Sequence, residues 1–331
     1  MHTRQNALNK WLEEIFKDTP FTIAPLAGDA SFRRYFRLHT GNTTRVIMDA
    51  PPDKETIEPF INIARLLAEK GIHAPTIHAV EYTQGFILLE DLGDDLFLNM
   101  LSSENAEGLY IQAMNTLSLI QQCPTSHLPT FDTSFMLQEL SLFKEWFLEA
   151  YLGLTLTTED TQCLKQTFEW LTQEITNQPQ VFIHRDYHSR NLIVTNKAEP
   201  YALGVIDFQD AMRGPFTYDL VSLLKDCYKQ WPHAKIMHWL SYFYDQLPKN
   251  ADCSFADFTR AFDLCGLQRH LKVLGIFCRL HLRDHKAAYL RDLPLTLHYV
   301  NTCLSRYEAL QPLAQFMREK IALPSTERVK A

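Results

Sequence analysis

Residues 181–194 read VFIHRDYHSRNLIV, two apolar runs that enclose two His, two Arg, one Asp and one Asn. The β-branched and aromatic flanks read as strands, so the polar middle is a loop between buried segments. Three readings of the loop compete: a hydrogen-bonded polar turn, a metal site on His184 and His188, and a catalytic loop. The two His are four apart, a spacing that can bind zinc on a helix. Here VFI and LIV disfavour a helix, and no Glu follows the first His. A serine hydrolase would want a nucleophile elbow, and the chain has no G-x-S-x-G.

The spacing says more. His184, Asp186 and Asn191 form H-x-D-x-x-x-x-N, and downstream a β-like run, YALGVIDF (201–208), leads into Ile206-Asp207-Phe208-Gln209-Asp210. A hairpin joining the two runs brings Asp186, Asn191 and Asp207 into one cluster. Phosphoryl transfer from ATP uses such a set. One carboxylate accepts the proton of the attacking hydroxyl, while an amide and a second carboxylate hold Mg²⁺, a cation that prefers hard oxygen ligands. His184 and His188 are then expected to orient the loop by hydrogen bonds.

Upstream, an amphipathic N-terminal helix carries Leu8, Trp11, Leu12, Ile15 and Phe16. Short β-like runs follow at 21–27, 33–38 and 45–50, with the polar turn Gly28 to Phe32 between the first two. A helix over 55–70 stops at Gly71, and two more strands are expected at 76–82 and 85–90. That order predicts a small α+β unit with an antiparallel sheet. From Asp91-Leu92-Gly93 onward helical periodicity dominates, as in FMLQELSLFKEWFLEAYL (135–152). The expected architecture is α+β and bilobal: a sheet-containing N-terminal lobe over 1–93 and a larger, mainly helical lobe over 94–331.

A net charge of −7 argues against broad binding to nucleic acid or anionic lipid. There is neither a signal-peptide h-region nor an uncharged apolar run of membrane-spanning length, so a cytoplasmic protein is expected. Seven scattered cysteines with no Cys-x-x-Cys read as buried, reduced thiols. Nothing in the sequence sets the oligomeric state.

HRDYHSRN, IDFQD and the later Tyr218-Asp219-Leu220 resemble the aminoglycoside-phosphotransferase and choline-kinase-like superfamily, a relative of the protein kinases. Its loop reads H-G-D-x-H-x-x-N, and Arg185 stands where it has Gly. GDASFRRYFRL (28–38), VIMDAPP (46–52) and LQRHLKVLGIFCRL (267–280) further resemble its bacterial cell-wall amino-sugar kinase branch, the N-acetylmuramate/N-acetylglucosamine-1-kinases of peptidoglycan recycling. The resemblance implies a kinase-like fold and transfer of the γ-phosphoryl of ATP to a sugar hydroxyl, the anomeric one of an N-acetylated amino sugar. Asp186 would be the catalytic base or hydroxyl-orienting group, and Asn191 and Asp207 the Mg²⁺ ligands. Glu90, Asp91 and Leu92 would form the adenine-pairing hinge, Gly28 to Phe32 with Ser31 the phosphate-covering turn, and Asp219 a loop anchor. Kinases of another small alcohol, such as an aminoglycoside or choline, share this pattern.

One departure stands out. The superfamily's third strand ends with a Lys that pairs with the phosphates and with a helix Glu. Here that position is Met48, and the Glu position falls near Ile61, with Glu58 the nearest acid. Met48 alone would fit a nucleotide-binding scaffold without turnover, but Asp186, Asn191 and Asp207 are intact. Arg33 or Arg34 can replace the missing cation, because guanidinium groups bind phosphate well. On an alternating strand only one of them faces the nucleotide. For the acceptor, Arg269 and Lys272 are expected on a basic helix face, with Gln209, Asp210 and Arg213 after the metal carboxylate. A solvated helix face is the alternative reading of the former pair.

Overall fold

The structure, a computed structural model, describes residues 2–26, 32–247 and 253–321. In chain order, helix α1 (His2–Phe16) precedes strands β1 (Thr22–Leu26), β2 (Arg34–Thr40) and β3 (Thr43–Asp49). Helix α2 (Glu58–Glu69), strands β4 (Ile77–Glu81) and β5 (Phe86–Glu90), and helices α3 (Phe97–Met100) and α4 (Ala106–Ile120) follow. Next come α5 (Thr133–Leu142), α6 (Thr158–Thr176) and strands β6 (Gln180–Ile183), β7 (Leu192–Asn196), β8 (Ala202–Val205) and β9 (Met212–Pro215). The chain ends in α7 (Tyr218–Leu224), α8 (His233–Asp245), α9 (Phe255–Leu282), α10 (Leu293–Leu304) and α11 (Gln311–Lys320). No described helix is long and apolar enough to cross a membrane. The chain divides into two compact units, Met1–Pro124 with Arg190–Ala211, and Thr125–Ser189 with Met212–Ala331.

The first unit is built on a sheet of order β1-β2-β3-β5-β4, antiparallel throughout. Side chains alternate across a strand. Phe36 and Leu38 of β2 therefore turn to one face, where Ile47, Phe86 and Leu88 meet Leu8 and Leu12 of α1 in a buried cluster. Trp11, Ile15 and Phe16 pack against the same cluster, so the helical spacing in the sequence marks a buried face. Each fully buried Leu is worth about 1.5–3 kcal/mol, and Leu12→Ala removes about 2–5 kcal/mol once its cavity is included. Helix α2 buries Phe60, Ile61, Ile63, Ala64 and Leu67, and the chain leaves it through Gly71 at φ +72°. The hairpin expected from the sequence is β7–β8, with Leu192 opposite Val205. It is tied into this unit by Val194 N–H donating to Asp95 O and Val205 N–H to His73 O, both at 2.8 Å.

The second unit is mainly helical. Its central helix, α9, starts with a capping box in which Ser254 and Asp257 each accept from the other's main chain. The helix is buried along most of its length. At Gly275 it crosses so close to α5 that a Cβ would lie 2.3 Å from the Leu142 carbonyl, so only glycine fits. The continuous helix expected over 135–152 changes there: it winds as α5 to Leu142 and as a π-helix over Phe143–Tyr151. Strands β6 and β9 pair antiparallel, Ile183 opposite Met212, and fix where the loop beginning at His184 leaves the sheet. The α+β class and the antiparallel five-stranded sheet stand as expected.

Candidate active site

In the second unit, two buried carboxylates hold the loop after β6. Asp219, in the first turn of α7, accepts the main-chain N–H of His184 at 2.6 Å and of Arg185 at 2.9 Å. Asp226 accepts the N–H of Ser189 at 3.0 Å and also its hydroxyl. A buried N–H left without such a partner costs about 1–3 kcal/mol. Burial pushes the Asp219 carboxyl up to about 6, against the opposing pull of His184 and the two N–H donors. Arg185 lies at φ +76°, a left-handed conformation natural to glycine. Its guanidinium spans the Phe135 ring and donates to Glu139 Oε1 at 3.0 Å.

Asp186 projects from this loop with its side chain 42% exposed, 3.9 Å from Arg269 Nη2. Burial raises its carboxyl, but the positive fields of Lys272, His188, Arg269 and Arg185 prevail and hold it well below the usual carboxylate range. It is therefore ionised at neutral pH and accepts hydrogen bonds. Arg269 and Lys272 are not a solvated helix face, since both are buried. Lys272 Nζ lies 2.9 Å from Glu139 Oε1 and 3.4 Å from the Tyr218 hydroxyl. Gln268 donates to the other Glu139 oxygen at 3.0 Å. The rings of His184 and His188 lie against Tyr187 and Tyr228 respectively. Among the described residues no group of three or more His, Cys, Asp or Glu is arranged to hold a metal. Arg213 is exposed on β9, opposite Phe182.

In the first unit, Asn191 Nδ2 donates to Asp207 Oδ2 at 3.3 Å, and Gln209 Nε2 donates to Asp207 Oδ1 at 2.8 Å and to Asp210 Oδ2 at 3.4 Å. The hairpin makes this possible. Ile206 N–H donates to Asn191 O at 3.1 Å, and Asp207 turns out of the strand at φ +63°. Phe208, its ring tilted against that of Phe60 with centroids 4.8 Å apart, anchors the turn. Groups that can offer oxygen to a divalent cation gather here: the Asp207 carboxylate lies beside the Asn191 side-chain amide, and the Gln209 carbonyl oxygen is buried without a hydrogen-bond partner among the described residues.

The remaining candidates also belong to the first unit. Ser31 lies outside the described residues, while Phe32 is 65% exposed. Met48 is fully buried, opposite Tyr35 on β2. Arg34 closes on the buried Asp49, which Arg4 of α1 also binds at 2.7 Å. Arg33 pairs at 2.6 Å with Glu55. The Glu90 carboxylate takes the N–H and hydroxyl of Thr76 and lies 3.0 Å from His73, while Leu92 packs over Gly204. Arg37 holds both Asp91 and Asp94 just after β5.

Sequence reading passed over Glu139, Glu55 and Arg37. The signal for Glu139 was an acid among apolar positions of a helix, beside Met136 and Leu140. Glu55 precedes the helix on which a partner acid was sought, and Glu58 on that helix is exposed.

A family model described as "Phosphotransferase enzyme family" matches residues 22–249. The chain is 39% identical to the N-acetylmuramate/N-acetylglucosamine kinase of Pseudomonas putida, over 96% of both chains. Among solved structures it resembles a choline/ethanolamine kinase family protein from Mesorhizobium loti, with a TM-score of 0.65 and 10% identity over 94% of this chain and 99% of that one. It also resembles an ADP-bound aminoglycoside phosphotransferase, with a TM-score of 0.62 and 15% identity over 88% and 97%.

Proposed function

From the premise that the chain belongs to the phosphotransferase enzyme family, we propose that it transfers the γ-phosphoryl of ATP to N-acetylmuramate and N-acetylglucosamine, at the anomeric hydroxyl, in the recycling of peptidoglycan. The observation that carries this reading is the near full-length identity to a kinase of those two sugars. The site chemistry supports it from the other side: an ionised Asp186 in a positive field, and a carboxylate beside an amide at Asp207 and Asn191.

In the reaction the acceptor oxygen forms a bond to the γ-phosphorus, the bond from that phosphorus to the β–γ bridging oxygen breaks, and ADP leaves with the electron pair. Asp186 accepts the hydroxyl's hydrogen bond and then its proton. Held so far below its usual range, it is a weak base. Its work is to aim the oxygen and to take the proton late, which suits a loose transition state. Asn191 and Asp207 would hold Mg²⁺. When bound, that ion neutralises charge on the phosphates. Asp219 and Asp226 keep the loop in place by gripping its main chain.

Residues 1–93 are proposed as the nucleotide-binding lobe, with the backbone at Glu90 and Leu92 facing adenine. Residues 94–331 carry catalysis and acceptor binding. Arg269 and Lys272 supply positive charge suited to the lactyl carboxylate of N-acetylmuramate, and Gln209, Asp210 and Arg213 are assigned to its hydroxyls. This reading puts the protein in the cytoplasm, where ATP is supplied.

ADP release measured with N-acetylmuramate, N-acetylglucosamine and a panel of amino alcohols tests the proposal. Turnover with the sugars alone, lost in Asp186→Ala, is expected. Turnover with amino alcohols only, or with nothing, overturns it.

A further inference from the structure

Arg269 and Lys272 stand three residues apart on one face of α9, both buried, yet they meet different surroundings. Lys272 is already engaged. Its Nζ lies 2.9 Å from Glu139 Oε1 and 3.4 Å from the Tyr218 hydroxyl. Arg185 donates to the same Glu139 oxygen and Gln268 to the other, so the ammonium belongs to an internal ionic cluster.

Arg269 has no such partner. Its Nε is buried without a hydrogen-bond partner among the described residues. Its Nη2 stands 3.9 Å from Asp186 Oδ1, an electrostatic neighbour but beyond hydrogen-bond distance. Asp226 is turned to other groups: Oδ2 accepts the N–H and hydroxyl of Ser189, and Oδ1 the N–H of Tyr228 at 3.0 Å. A guanidinium keeps its charge and has five donors in a fixed fork. Buried without hydrogen-bonded oxyanions, such a charge is costly. Its backbone is also fixed. One turn earlier, Gly266 lets α7 come so near that a Cβ there would meet Val221 Cγ1 at 3.3 Å. The fork is thus held ready for an oxyanion that arrives with the substrates.

Two oxyanions come into question, the transferred phosphoryl group and a carboxylate on the acceptor. The difference in exposure favours the second. The Asp186 side chain is 42% exposed and that of Arg269 only 5%. Hydroxyl and phosphoryl meet at the open Asp186 carboxylate, while the guanidinium lies deeper, where an arm of the bound acceptor reaches it. A carboxylate also matches the fork with two parallel hydrogen bonds. We infer that Arg269, and not Lys272, receives the acceptor's carboxylate, and so sets the preference for an acid sugar over its neutral counterpart. Lys272 is then the counter-ion of Glu139. The inference rests on the reading that the acceptor is an N-acetylated amino sugar.

Steady-state ADP release with N-acetylmuramate, its methyl ester and N-acetylglucosamine is the experiment. In the wild type, esterification should lower kcat/KM about ten- to hundredfold, the worth of hydrogen bonds to a charged group. Arg269→Gln should bring acid and ester level and lower the ratio of N-acetylmuramate to N-acetylglucosamine by the same factor. Arg269→Lys should retain part of both preferences, and Lys272→Met should keep the wild-type ratios while melting earlier. Any effect on Asp186 touches all three acceptors and cancels in the ratios. Melting curves check folding, and if Arg269→Gln unfolds, the ratios in the wild type and Arg269→Lys decide. Equal rates with acid and ester in the wild type, ratios unchanged in the Arg269 variants, or ratios lost in Lys272→Met instead overturn the assignment and leave the sugar reading standing. A wild type that turns over neither sugar overturns that reading, and the assignment falls with it.

Discussion

Lys272 Nζ lies 2.9 Å from Glu139 Oε1, with both side chains 8% exposed, in a helix pair that the sequence gives no motif for. The same carboxylate oxygen receives Arg185 at 3.0 Å, and Gln268 takes the other. Glu139 thus balances a buried and a half-buried cation, both of which also act on the carboxylate at Asp186. Removing one partner of a buried ion pair leaves charge uncompensated, at about 3–5 kcal/mol. Glu139→Ala should lose that much in urea denaturation. It should also lose turnover, since Lys272 and Arg185 are then drawn to Asp186. A loss under about 1 kcal/mol, the scale of an exposed pair, would show that the cluster does not hold the unit.

The loop that carries Asp186 is gripped by other carboxylates. The loop is held through the main chain of His184, Arg185 and Ser189, by Asp219 and Asp226. Asp186→Asn should therefore melt near wild type while kcat falls about 10²–10⁴-fold, the usual worth of a positioned acid–base group. The KM for ATP should stay within a few-fold. Steady-state ADP release in both substrates separates these outcomes, and a parallel loss of kcat and stability would return Asp186 to the role of a polar turn.

Asn191 and Asp207 lie 3.3 Å apart because the β7–β8 hairpin closes on Ile206. If they hold the metal, EDTA abolishes turnover and added Mg²⁺ restores it. Asp207→Ala is then inactive at any Mg²⁺, while Asn191→Ala needs more Mg²⁺ to reach half its maximal rate. A Mg²⁺ titration of Asn191→Ala that overlays wild type would remove Asn191 from the ligand set.

The sheet and the hairpin were legible because burial writes itself into periodicity. Leu8 and Leu12, Phe36 and Leu38, and the β-branched runs around HRDYHSRN each repeat at the period of their element. The loop motif was legible because Asp186 and Asn191 are five residues apart and their spacing is fixed by the chain. Glu139, Lys272 and Glu55 were not legible as partners, since their pairings join residues over a hundred apart or belong to a loop outside the helix. The face taken by Arg34 needed the register, because adjacent residues differ only in which face they take, and a one-residue slip exchanges the faces. The π-helical winding starts at Phe143, where α9 makes its close approach at Gly275, a contact between residues over a hundred apart.

Arg185, at φ +76°, is where backbone and side chain pull in opposite directions. A Cβ in the left-handed region costs about 1–2 kcal/mol, and glycine escapes it. Arg185→Gly and Arg185→Ala both lose the bond to Glu139, so that term cancels between them. Arg185→Gly should be the more stable of the two by about 1–2 kcal/mol, as chemical denaturation of both would measure. Equal stabilities would mean that the loop relaxes out of this conformation when the guanidinium is gone.

The pairing of Glu139 also predicts a pH dependence. Burial raises its carboxyl, yet Lys272 and Arg185 outweigh burial and hold it below the ordinary value of 4.5. As pH falls, the unfolded chain protonates this group first, so the folded state is favoured less. Stability from ionised Glu139 is therefore complete above pH 4.5 and is lost as pH drops through the folded-state value. Glu139→Gln lacks that contribution at every pH. Asp186 titrates in both proteins and cancels in the comparison to first order. The stability gap between wild type and Glu139→Gln should thus be widest near neutral pH and narrow steadily on acidification below 4.5, in urea denaturation run at a series of pH values. A gap that stays constant or widens in acid would mean that Glu139 is not held ionised by Lys272 and Arg185.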